Sequence, residues 1–143
     1  MKNYMNILVA VELIREIDEN ILGKTLDLSK NSDSKLHLVH VIEPVLNYGR
    51  IPSMAMECPQ KYESYVRRKI SELGSKFAVP EKNQFVVVGR IENQIFGLIK
   101  IIDADLLVVG NHSRHGFRAL FKNNHTSSLV KNTGCDMLAI RVA

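Results

Sequence analysis

The densest run of chemically capable side chains in this chain is Gly110-Asn-His-Ser-Arg-His-Gly-Phe-Arg-Ala-Leu-Phe-Lys-Asn-Asn-His-Thr126. His112, His115 and His125 are of a type that ligates metals, since an imidazole nitrogen is a common zinc donor. Neither a cysteine pair nor a carboxylate stands in the segment to complete a site, so a surface loop is expected there and no metal. Arg114, Arg118 and Lys122 recur at four-residue spacing and would attract phosphates from one helical face; a solvated basic face fits the same spacing.

Nucleophilic chemistry fails on spacing. A nucleophile elbow around Ser113 needs glycine two residues before and two after, where this chain has Asn111 and His115. His112-Ser-Arg-His115 shares its outline with the His-x-Gly-His of nucleotidyl transfer, but Arg114 replaces the glycine and the segment follows a fourth strand, not a first. Without a base-activated nucleophile or an acid–base pair, turnover is not expected.

The elements that must position this segment can be read from periodicity. Asn6-Ile-Leu-Val-Ala-Val11 is short, continuously apolar and β-branched, as a strand buried on both faces should be. Ile17, Ile21, Leu22, Thr25 and Leu28 return at helical spacing between Glu16 and Lys30. A second strand runs from Lys35 to Val41, with Leu36 and Leu38 on one face, His37 on the other, and His40 too far out of step to share a site with His37. The irregular stretch 42–58 carries Pro44, Gly49 and Pro52 and is long for a plain connection. A helix then follows Pro59, with Tyr62, Val66, Ile70, Leu73 and Phe77 on one stripe and Arg67-Arg-Lys69 on its wet side; Pro80 closes it. Asn83 to Val88 is a third strand, Ile95, Leu98, Ile99 and Ile102 mark a third helix, and Asp105 to Gly110 is a fourth strand. A short helix is expected near Asn124, and Met137 to Val142 is a fifth strand. Strands alternating with helices imply a parallel sheet covered on both faces, a three-layer α/β sandwich occupying residues 1–143 as one domain.

Composition narrows the function. At 143 residues and 45% apolar content, the chain can bury roughly 70% of its unfolded surface. A net charge of +4 permits an anionic ligand, but with no Trp and 6% aromatics a base-stacking nucleic-acid platform is not expected. Cys58 and Cys135 stand far apart without a CxxC pattern, as reduced thiols of a cytoplasmic protein would. The apolar run at the start is cut short by Glu12, so neither a signal peptide nor a membrane-spanning segment is expected.

In an open parallel sheet, ligands bind beyond the carboxyl ends of the strands where the strand order reverses. That points to the loops after Val11, Val41 and Val109. Here the sequence resembles the universal stress proteins. The resemblance rests on Ile-Leu-Val-Ala-Val followed by Glu12, on Leu-His-Leu-Val-His-Val41, on Val-Val-Val-Gly-Arg90, on Ala104-Asp-Leu-Leu-Val-Val-Gly-Asn-His-Ser-Arg-His-Gly116, and on Cys135-Asp-Met-Leu-Ala-Ile-Arg-Val142. It implies a five-stranded parallel sheet of order 3-2-1-4-5, a Rossmann-like fold of the adenine nucleotide alpha hydrolase type.

The resemblance also implies a site for ATP or another adenine nucleotide, with Mg, held by Ala10, Val11, Glu12 and Val41 at the adenosine end. Gly110, Ser113, Asn123, Asn124 and His125 would hold the phosphates. Nucleotide-binding members of that family place small residues in a Gly-x2-Gly-x9-Gly-Ser/Thr loop, which falls here on Gly110, Ser113, Asn123 and Asn124. Only Gly110 is kept. A Cβ at Ser113 and a side chain at Asn123 occupy space where backbone N–H groups would approach a phosphate, and Asn124 can cap the helix itself. Glu12 stands where binding members carry Asp. The expectation is therefore a non-catalytic stress-response protein with a degenerate nucleotide site, acting through dimerisation and through ligand or unknown protein partners. An ATP-driven switch is the second reading, and a small phosphate-transferring or hydrolysing enzyme the third. The resemblance further implies a homodimer paired through the fifth strand, Met137 to Val142, whose apolar edge carries only Arg141 as a guard.

Overall fold

The computed structural model describes residues 3–30, 32–43, 59–110 and 133–141. Its strands are β1 (Asn6–Ala10), β2 (Lys35–Ile42), β3 (Gln84–Val88), β4 (Leu106–Gly110) and β5 (Asp136–Ile140), and its helices α1 (Arg15–Ser29), α2 (Pro59–Lys76) and α3 (Ile91–Ile102). The five strands form one sheet of order β3-β2-β1-β4-β5, and every adjacent pair is parallel. This is the sheet order the resemblance implies.

Strand β1 is central, which explains its unbroken apolar run: both of its faces are covered. Ile7, Val9 and Val11 face one core with Leu38, Leu106 and Val108, closed over by Ile21 and Leu22 of α1 and Ile70 of α2. Leu8 and Ala10 face the other with Val39, Val41, Leu107 and Val109, closed over by Ile95, Phe96 and Ile99 of α3. Burying a Leu or Ile side chain of this kind stabilises the fold by about 1.5–3 kcal/mol.

Several boundaries differ from the sequence reading by a residue or two. Asn83 does not open β3; it ends a 3-10 turn, Glu81–Asn83, and its amide donates to the Leu36 carbonyl at 3.2 Å. Asp105 precedes β4, because its carboxylate is used to accept the Met5 and Asn6 N–H groups, each at 2.9 Å. Phe77 lies just beyond α2 but still packs into the core that helix covers. Strand β5 starts at Asp136, one residue before the expected Met137, and ends at Ile140, before Arg141. Val142, most of the stretch 42–58 and the expected short helix near Asn124 lie outside the described residues.

Candidate functional site

Five of the nine residues assigned to a ligand site converge at the carboxyl edge of β2, β1 and β4. Ala10 and Val11 are fully buried, Val41 and Gly110 are buried, and Glu12 is half-buried. The register pairs Ala10 with Val39 and Val9 with Val108. The Val11 N–H continues the ladder to the Val39 carbonyl at 2.8 Å. Two residues beyond those partners, Gly110 on β4 and Val41 on β2 stand on either side of the end of β1, at the point where the chain departs to opposite sides of it. Ser113, Asn123, Asn124 and His125 lie outside the described residues, as do His112, His115 and the basic side chains Arg114, Arg118 and Lys122. Among the described residues no group of three His, Cys, Asp or Glu could hold a metal ion.

The residue that sequence reasoning missed is Asp18. It sits in the first turn of α1 with 1% of its surface exposed. Its carboxylate turns back to accept the N–H of Glu12 at 3.0 Å and of Leu13 at 2.7 Å. Leu13 has φ of 64°, a left-handed conformation that costs a branched side chain about 1 kcal/mol or more. The preceding residue of α1, Ile14, offers no side-chain cap. Asp18 thus does from inside the helix what an N-cap does from in front of it. The signal was present: Asp18, Ile21, Leu22 and Thr25 share one helical stripe, so a carboxylate stood on the apolar face.

Burial and the neighbouring Asp18 push the Glu12 carboxyl up to about 8. Burial also raises Asp18, to about 6, although the N–H donors of Glu12, Leu13 and Ile14 pull it down. A third carboxyl, Glu43, follows β2; burial and Glu92 raise it, while the Ile91 N–H at the start of α3 works the other way. His40 on β2 places Nδ1 at 2.8 Å from the Val11 carbonyl, so that nitrogen donates to the backbone acceptor just beyond β1. His37 and His40 point to opposite faces, as the alternation requires; His37 is buried beside Phe85, their ring centroids 6.3 Å apart.

Beside this edge, a cavity of about 370 Å³ between α1 and α2 is lined by Leu13, Asp18, Tyr65 and Leu73 and by charged side chains of both helices. Arg67 and Arg68 are exposed on α2 as expected of its wet side, Arg67 pairing with Glu63 at 3.0 Å. Cys135 is buried, its Sγ 3.3 Å from the Asp136 carbonyl; Cys58 lies outside the described residues.

The sheet order, the carboxyl edge and the closing strand agree with one family model, that of the universal stress protein family, which matches residues 3–141. The chain belongs to the universal stress protein family. It is 30% identical over 144 residues to universal stress protein A homolog 2 of Coxiella burnetii, covering 99% of this chain and 98% of that protein. It is 27% identical to universal stress protein E of Salmonella typhi, covering 94% of this chain but only 46% of that longer protein. Among solved structures, the universal stress protein UspA of Lactobacillus plantarum superposes with a TM-score of 0.68 at 16% identity, covering 99% of this chain and 100% of that one. A universal stress protein in complex with cAMP gives 0.65 at 16% identity, over 99% of this chain and 100% of that one. A family protein from Arabidopsis thaliana with AMP bound gives 0.58 at 18% identity, over 97% and 92%. These structural likenesses establish the Rossmann-like fold of this universal stress protein. No helix among its described residues is long and apolar enough to cross a membrane.

Proposed function

We propose that this universal stress protein binds without turnover, acting in a stress response as a cytoplasmic homodimer whose adenine-nucleotide site keeps its nucleoside end and has lost much of its grip on phosphate. One observation carries the reading: the N–H groups of Glu12 and Leu13, donors that a turn leading into a helix could offer an anion, go to the protein's own Asp18 carboxylate. A buried carboxylate already occupies those two donors, so the turn after β1 does not offer them to a phosphate. The side chains of Ser113, Asn123 and Asn124, in place of smaller residues, work in the same direction at the other end of the site.

The nucleoside end fits better. Val11, Val41 and Ala10 are buried apolar residues beneath it, and Glu12 is a half-buried polar group at its rim. That structural neighbours were solved with cAMP and with AMP bound supports an adenine ligand here too. If ATP were held, Gly110, Ser113 and residues Asn123 to His125 would meet its phosphates, and Mg would offset their charge. The test is a thermal shift with Mg-ATP, together with chromatography of whatever nucleotide is released on denaturing the purified protein. Saturation at 100 times Kd would add about 2.7 kcal/mol. A negligible shift and no released ATP are expected. A large shift would favour the second reading, an ATP-driven switch, which the retained and buried Gly110 supports.

A further inference from the structure

We propose that the cleft between α1 and α2 is a binding site in its own right, and that it takes a small planar aromatic molecule bearing one carboxylate. The cleft is lined by none of Ala10, Val11, Glu12, Val41 and Gly110, so it stands apart from the nucleotide reading. Its volume of about 370 Å³ falls within the roughly 300–1,000 Å³ of small-ligand pockets. The walls decide the body of the ligand. Leu13, after β1, and Leu73 of α2 are half-buried apolar side chains on opposite elements. Tyr65 lies between the charged positions of α2, half-buried and stacked on Tyr62 with ring centroids 6.3 Å apart. A flat aromatic body matches such walls. The cations of Arg68 and Lys69, each 5.7 Å from the Tyr65 centroid, disfavour a ligand that is itself a cation.

The rim decides the charge. Arg15, Lys69 and Lys76 meet two carboxylates there, Glu19 and Glu72. Lys69 matches Glu72 at 3.8 Å. Glu19 is shared: Arg15 donates to one of its oxygens at 2.8 Å, and Lys76 of α2 donates to the other. One cation is therefore in excess among the rim side chains, and a monoanion balances it. These ion pairs stand in solvent, with the Arg15 side chain 84% exposed and that of Lys76 51%, so exchanging a Glu19 oxygen for a ligand oxygen costs little. Asp18 closes the buried end of the cleft, its two oxygens taken by the N–H groups of Glu12 and Leu13. Its charge keeps the ligand's carboxylate out at the rim and leaves the inner space to the apolar body.

The probe is naphthalene-2-carboxylate, titrated to millimolar concentration into the nitrogen-labelled protein and followed by amide NMR, with naphthalene-2-carboxamide as its uncharged counterpart. The carboxylate should move the signals of residues 13–19 and 65–76, and the carboxamide should bind several-fold more weakly. Glu19→Gln releases Arg15 and Lys76 together and should tighten the carboxylate roughly two- to fivefold, the worth of one exposed ion pair; Lys76→Gln should weaken it by a similar factor. The wild-type titration needs no variant to fold. Equal affinity for the two probes, or weaker binding of the carboxylate to Glu19→Gln, would overturn the assignment of charge. No shift in α1 and α2 would overturn the site. Shifts confined to Ala10, Val41 and Gly110 would also overturn it, placing the probe at the carboxyl edge and leaving the nucleotide reading intact.

Discussion

Glu12→Gln isolates the energetics of the carboxyl that ends β1. Gln has the shape of a protonated Glu, so the two proteins differ only where Glu12 ionises. Its pKa is pushed up to about 8 in the folded state from an ordinary 4.5. Such a group binds more protons folded than unfolded, so its stabilising contribution is complete below pH 4.5 and is lost as pH rises through about 8. At about 1.4 kcal/mol per pH unit the window corresponds to at most about 5 kcal/mol. Glu12 keeps part of its surface in water, and screening reduces the figure to about 2 kcal/mol. Urea unfolding of both proteins at intervals across this range measures it directly, and taking their difference cancels every other titrating group. The two should be equally stable near pH 4.5, with Glu12→Gln about 2 kcal/mol more stable near pH 9. An offset that stays constant with pH would refute the argument, because it would show that Glu12 ionises alike in both states.

Burial and Lys35 lower the pKa of His37, whose Nδ1 is buried without a hydrogen-bond partner. The unfolded chain therefore takes up the proton first, and stability is lost as pH falls below 6.5; His37→Leu should remove that slope in unfolding curves recorded from neutral to acid pH. Gly74→Ala should destabilise by about 1–3 kcal/mol despite better helix propensity. A Cβ there would stand 2.0 Å from the Gln84 amide nitrogen and 2.9 Å from the Val79 carbonyl, and thermal unfolding that shows a gain would contradict this. For the proposed homodimer, Ala139→Pro deletes a backbone donor from β5, and sedimentation should show dimer for the wild-type protein and monomer for the variant; a monomeric wild type at micromolar concentration sinks the dimer.

Five strands and the three described helices were legible before any coordinates, because each carries its own signal. β1 and β4 read as buried from unbroken Val, Ile and Leu, and α2 from Val66 and Ile70 recurring on one stripe. Hydrophobic period is a local property, so a sequence states it openly. Element ends were less legible, because side chains reaching across the fold decide them: Asp105 was taken out of β4 by N–H groups about a hundred residues earlier.

The candidate site divides the same way. Ala10, Val11, Glu12, Val41 and Gly110 could be placed together at the carboxyl edge because strand order and the carboxyl-edge rule follow from alternation together with the resemblance. Asp18 was not, although its place on an apolar stripe marked it as odd. Whether a buried carboxylate is tolerated depends on which donors surround it. Those donors belong to a turn whose shape exists only once β1 and α1 have packed, and the same packing removes the water that would otherwise keep Glu12 an ordinary acid.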